Sequence, residues 1–192
     1  RKALDLLVKA RIINLCFHSD ATGFPLKALL NRRIFKPFFL DCGLMKFLCG
    51  FRNITMNQLL RREFVNEGKM AEQFIAQHLL TIERSNVNVD LFYWLRESKK
   101  SNAEVDFIIQ SNQKIIPIEI KAGQSGSLKS LHQFVLARQT KSVFRFDLNK
   151  PSFQTVQHKV VTKDDSADIK MDLYSLPLYM IEQLHRLVPE EN

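Results

Sequence analysis

Residues 102–123, NAEVDFIIQSNQKIIPIEIKAG, constrain the fold more than any other stretch. Two short strands are written into them. The first, 103–109, ends at the polar tetrad Gln110, Ser111, Asn112 and Gln113, which reads as a turn. The second, 114–121, alternates: Ile116, Ile118 and Ile120 point one way, and Ile115, Pro117, Glu119 and Lys121 the other. By the same period Glu104 and Asp106 share a face. Folding the hairpin sets them opposite residues 117–119, within cross-strand reach if those faces coincide.

Alternation of this kind is what a hairpin with one solvated face needs, and it requires no chemistry. A second reading takes the carboxylates as a divalent-cation site. Two carboxylates on adjacent strands can hold Mg²⁺ or Mn²⁺, leaving positions for water and phosphate oxygens. A lysine two residues after the second carboxylate can position a nucleophilic water and offset charge on the reacting phosphate. Asp, a spacer, then Glu-x-Lys is the PD-(D/E)xK nuclease arrangement, here Asp106, Glu119 and Lys121, with Val105 where the motif's proline would stand. The motif alone is common by chance; its placement on two apolar strands gives it weight.

Composition narrows the class. With 45% apolar and 25% charged residues the chain is an ordinary globular protein, and 192 residues can bury one substantial core. Phe supplies 15 of the aromatics, against three Tyr and one Trp, which favours core packing. A net charge of +8 makes DNA the first partner to expect. Cys16, Cys42 and Cys49 fit no zinc spacing and read as free thiols in a reducing, cytoplasmic setting. No apolar run approaches the roughly twenty residues of a membrane span. The opening Arg-Lys reads as a piece of a longer protein, and the absence of a G-x-x-x-x-G-K-[ST] pattern implies that these residues do not bind ATP.

Elsewhere the pattern is coarser. Residues 1–11 carry helical spacing, 12–17 and 34–40 read as strands, and together they look like a helix with a two-stranded wing, the tail of a winged helix over 1–40. Arg32 and Arg33 would be its DNA contacts, with an interdomain spacer as the alternative. Asp41 is a helix N-cap, and 41–65 hold short connecting helices. Residues 66–83 form the clearest helix, burying Met70, Phe74, Ile75, Leu79 and Ile82, with Glu72 on the flank and His78 placed to pack. A strand over 87–96 carries Trp94 toward the core. The turn at 98–102 offers Lys99 and Lys100 to phosphate. A helix over 128–139 carries Gln133; strands at 142–148 and 155–161, an exposed loop at 163–166 and an amphipathic helix over 176–187 complete the chain.

The blocks KARIINLCF, IFKPFFLDCGLMKFLCG, GKMAEQFIAQHLL, FYWLRES, AEVDFII and IPIEIKAG, in this order, carry a resemblance. The chain resembles the C-terminal region of prokaryotic AAA-type ATPases that bear a domain of unknown function of the PD-(D/E)xK nuclease-like fold, the family numbered 4143. The resemblance implies an α/β (α+β) architecture: a mixed sheet flanked by helices over 66–192, ordered as helix, three strands, helix, strand, and preceded by the partial winged helix. It implies that Glu72, on the first helix, assists with the metal or water, and that Gln133 orients the water or a phosphate. The expected function is a Mg²⁺- or Mn²⁺-dependent DNA phosphodiesterase whose ATPase module lies outside these residues. The alternative is a non-catalytic module that docks DNA or protein and regulates that ATPase.

Overall fold

The computed structural model describes residues 2–50, 67–82, 89–96, 102–111, 113–123, 127–161 and 166–189. Helix α1 (Lys2–Lys9) leads into β1 (Ile13–Ser19) and β2 (Leu30–Phe39), followed by α2 (Cys42–Leu48) and α3 (Glu67–Leu79). Next come β3 (Leu91–Arg96), β4 (Ala103–Ser111) and β5 (Lys114–Ile120). Helix α4 (Lys129–Arg138) crosses to β6 (Ser142–Asp147). The chain ends with β7 (Ser152–Val161), β8 (Ser166–Pro177), a 3₁₀ segment Leu178–Gln183 and α5 (Leu184–Leu187). The helix expected within 55–65, the turn lysines Lys99 and Lys100, and nearly all of the loop at 163–166 lie outside the described residues.

The described strands form one mixed sheet in the order β2-β1-β3-β4-β5-β6-β8-β7. Each face carries its own core. Ile75, Ala76 and Leu79 of α3 pack with Phe107, Ile116, Ile118, Ile120, Phe144 and Phe146, and Ile181 and Leu184 close that side. Leu131, Phe134 and Val135 of α4 pack on Trp94, Val105, Ile108, Val143, Met171 and Leu173 of the other face. Trp94 meets Phe134 edge-on with centroids 5.2 Å apart, as the core role expected for it requires. The expected mixed sheet flanked by helices is therefore present, with a layer of helix on both sides. Among the described residues no helix is long and apolar enough to cross a membrane.

Three features differ from the sequence-based expectation. The helix and hairpin of residues 1–40 are present, but the hairpin is hydrogen-bonded into the main sheet. β1 runs parallel to β3, with Cys16 opposite Leu91 and His18 opposite Tyr93. Its free edge finds partners there instead of standing as a separate wing. β8 is a full strand between β6 and β7, over residues 166–177, most of which carry no expected element. Its alternation is nonetheless plain, since Ile169, Met171 and Leu173 all enter the α4-side core. Finally, the expected terminal helix begins only after Pro177 and starts as 3₁₀ turns. Ile181 and Leu184 still dock as their spacing demands.

Helix α3 is tied to the N-terminal hairpin by amides. Gln73 accepts from the Phe39 N–H at 2.9 Å and donates to the Phe39 carbonyl at 2.9 Å, and Gln77 accepts from the Cys42 N–H. Asp41 caps α2, its Oδ1 accepting from the Leu44 N–H at 2.7 Å. Asp41→Ala removes that acceptor and is expected to weaken the first turn by about 1 kcal/mol. Amide hydrogen exchange at Leu44 should then accelerate roughly fivefold. An unchanged rate would show that the cap holds nothing.

Candidate active site

The site forms where β4 and β5 part. Their antiparallel ladder runs from Ser111 opposite Lys114 to Phe107 opposite Ile118. The pairing of β3 with β4 shifts between Phe92 opposite Ile108 and Trp94 opposite Val105, so β4 carries one extra residue at Asp106–Phe107. A bulge of this kind bends a strand and re-aims its side chains. Beyond it the strands follow different neighbours: β4 continues along β3 to Ala103, while the Lys121 N–H bonds the Phe146 carbonyl beside β6 at 2.8 Å. The Ile120 N–H, left without a partner on β4's backbone, donates to Asp106 Oδ2 at 2.7 Å.

Glu119 enters this gap from β5 and is 4% exposed. Ile118 and Ile120 on either side of it belong to the α3-side core, so Glu119 departs toward the α4 face. The faces of Asp106 and Glu119 thus do not coincide along the ladder, and Asp106 lies within the field of Glu119 where the ladder ends. Lys121 Nζ stands 2.5 Å from Glu119 Oε1, partly open to solvent. Glu119 Oε2 is buried without a hydrogen-bond partner among the described residues.

Electrostatics mark the gap as short of positive charge. Burial pushes the Asp106 carboxyl up to about 7, and the carboxylates of Glu119 and Glu72 push the same way against the Ile120 N–H and Lys36. Burial also raises Glu119, opposed chiefly by its hydrogen bond to Lys121. Glu72 lies on α3 within reach of Asp106's field, but its Oε1 is held by Lys69 Nζ at 2.8 Å. Among the described residues no three His, Cys, Asp or Glu side chains gather as a metal-holding set. The donors that fit a hard divalent cation are Asp106 and Glu119, one raised by burial and then by its neighbouring carboxylates, and one with a buried oxygen that has no partner among the described residues. Mg²⁺, commonly bound by one or two carboxylates and completed by water, suits such a pair.

Lys36 is the residue the sequence reading missed. It projects from β2, opposite Cys16 of β1, and its ammonium pairs with Glu104. It also stands 4.5 Å from the Tyr93 ring centroid. Burial works against its charge, yet the hydrogen bond to Glu104 and the fields of Glu104, Asp106 and Glu72 outweigh burial and raise its pKa. A signal existed: Lys36 shares a strand face with Phe38, which packs into the α3-side core. Cys16, fully buried beside it, has its thiol pushed up by burial and is inert at neutral pH.

The other expected residues are placed as follows. Gln133 lies on α4, its Oε1 buried without a partner among the described residues, and it lines a cavity with Ala103. Arg32 and Arg33 are exposed on edge strand β2, four and three residues before Lys36. His78 packs on Phe74, centroids 4.4 Å apart, and pairs with Glu182 at 2.9 Å.

No curated protein and no solved structure gives a match. Residues 67–176 match the family model described as a domain of unknown function, DUF4143. That span carries Glu72, Asp106, Glu119, Lys121 and Gln133 and leaves Lys36 outside it. It covers more than half of the 192 residues, and the chain belongs to this family.

Proposed function

We propose that this chain is a metal-dependent DNA phosphodiesterase domain of the PD-(D/E)xK type, working within a longer protein that carries an AAA-type ATPase. The observation that carries the reading is half-buried Asp106 within the field of buried Glu119 at the parting of β4 and β5, with Lys121 Nζ at 2.5 Å from Glu119 Oε1. A bound Mg²⁺ or Mn²⁺ would supply polarisation of the phosphate oxygens and a source of activated water. Asp106 and Glu119 would hold it. The Lys121 ammonium is positioned to orient a water on one side and to meet charge that develops on the phosphate. Glu72, on α3, lies within reach of Asp106's field, and Gln133, on α4, lines a cavity with Ala103, three residues before Asp106. The excess of basic residues favours an anionic polymer as substrate.

Nicking of supercoiled DNA in Mg²⁺ or Mn²⁺ tests this. Wild type should cleave, and Glu119→Gln should lose roughly 10²-fold or more in rate by weakening the cation site. Equal nicking by both proteins would assign the activity to a contaminant.

Lys36 supports a second reading. Its ammonium already stands among Glu104, Asp106 and Glu72, as in a scaffold whose acidic cluster is neutralised internally. On that reading the domain docks DNA or protein and regulates the ATPase without cutting. Calorimetry separates the two: DNA binding with no uptake of Mg²⁺ or Mn²⁺ is the scaffold's signature.

A further inference from the structure

A second polar site lies on the α4 face of the sheet, at the start of β4. A cavity of about 290 Å³ opens between the start of β4, the first turns of α4 and β7. Its lining includes Ala103, three residues before Asp106, together with Lys129, Ser130, His132, Gln133 and His158. No acidic side chain is among the described residues that line it. The imidazoles of His132 and His158 stack with centroids 4.2 Å apart and planes 28° from parallel. His132 Nε2 and Gln133 Oε1 are both buried without a hydrogen-bond partner among the described residues.

Such a group is costly unless something completes it, because buried polar atoms in native proteins nearly always have partners. The missing partner is not a metal ion held between the rings. Nearly parallel rings turn their faces to each other, whereas imidazole lone pairs lie in the ring plane. An oxyanion fits His132 Nε2 better: it accepts from an imidazole N–H, the Lys129 ammonium and the Ser130 hydroxyl and meets no carboxylate, whereas Gln133 Oε1, itself an acceptor, takes no bond from it.

We propose that this cavity is a phosphate subsite, holding a backbone phosphate of a nucleic-acid strand whose neighbouring phosphate lies at Asp106 and Glu119. The identity of the ligand rests on the phosphodiesterase reading, and the subsite answers a difficulty within it. A carboxylate-lined gap repels a polyanion, so the strand needs an adjacent cationic hold. Gln133 lines this hold, and its neighbour Phe134 anchors α4 on the sheet that carries Glu119.

The test is made without divalent cation, so that it does not depend on cleavage. Histidine resonances of the whole chain are followed by NMR as inorganic phosphate is added, and then as a short single-stranded DNA replaces it. Both ligands should move the signals of His132 and His158, in wild type and in Asp106→Asn alike. Lys129→Ala, at an exposed position, should weaken both effects about tenfold. Signals that phosphate leaves unmoved, or equal binding by Lys129→Ala, would overturn the subsite. Movement by phosphate but not by DNA would leave a free-anion site and overturn the nucleic-acid assignment. Phosphate and DNA binding without any cleavage in Mg²⁺ would sink the phosphodiesterase reading alone.

Discussion

Lys121→Ala should lower metal-dependent DNA cleavage by roughly 10²–10³-fold, the loss typical when one preorganised charge or donor leaves a transition state. The ammonium is 2.5 Å from Glu119 Oε1 and partly exposed, so it can meet a phosphate at the mouth of the gap. DNA affinity should stay close to wild type, because one lysine among 28 basic residues carries little of the total phosphate attraction. A purely structural Lys121 leads to a different result. Its removal would strand the buried Glu119 charge, at a cost of up to about 3–5 kcal/mol if the carboxylate stayed ionised. Thermal melts with and without Mg²⁺ decide between the two. A large fall in Tm that Mg²⁺ fails to restore would argue against the catalytic role.

Asp106→Asn should stabilise the metal-free protein above neutral pH, although it removes a residue of the candidate site. In the folded chain burial and the neighbouring carboxylates hold Asp106 near 7, far above an unfolded aspartate. Between about pH 4 and pH 7 the folded state therefore binds more protons than the unfolded state. Stability is greatest below the unfolded value and falls as pH rises toward 7, by on the order of 2–4 kcal/mol. Glu119, also raised, adds to the same slope. Asparagine keeps an oxygen for the Ile120 N–H but carries no charge, so most of the slope should disappear and Tm at pH 8 should rise by roughly 5–10 °C. The cation effect should vanish with it. In wild type, Mg²⁺ at a hundred times its Kd adds about 2.7 kcal/mol. A wild-type Tm that stays flat from pH 4 to 8 would refute the electrostatic account of the gap.

The two predictions rest on different kinds of information. That β4 and β5 pair as a hairpin, and that Lys121, just past β5, meets Glu119 two residues before it, was legible from period two alone. The buried stripe of α3 and the cap at Asp41 were legible for the same reason: they depend on neighbours within a few residues. The alternation of β8 was equally present, though charges at every second position made it resemble a loop.

What the tertiary structure alone decided is how these faces meet. A bulge at Asp106 and the separation of β4 from β5 leave Asp106 within the field of Glu119, although the two leave the sheet on different faces. Lys36 reaches the same gap from β2, 70 positions before Asp106, because β1 pairs in parallel with β3. His132 and His158 meet only because β7 lies beyond β8 at the far edge, under the first turns of α4. Periodicity records which side of an element is buried, since that preference is written residue by residue. Which element covers it depends on strand order, on ladders closing and on free backbone groups finding partners, and those are properties of the whole chain.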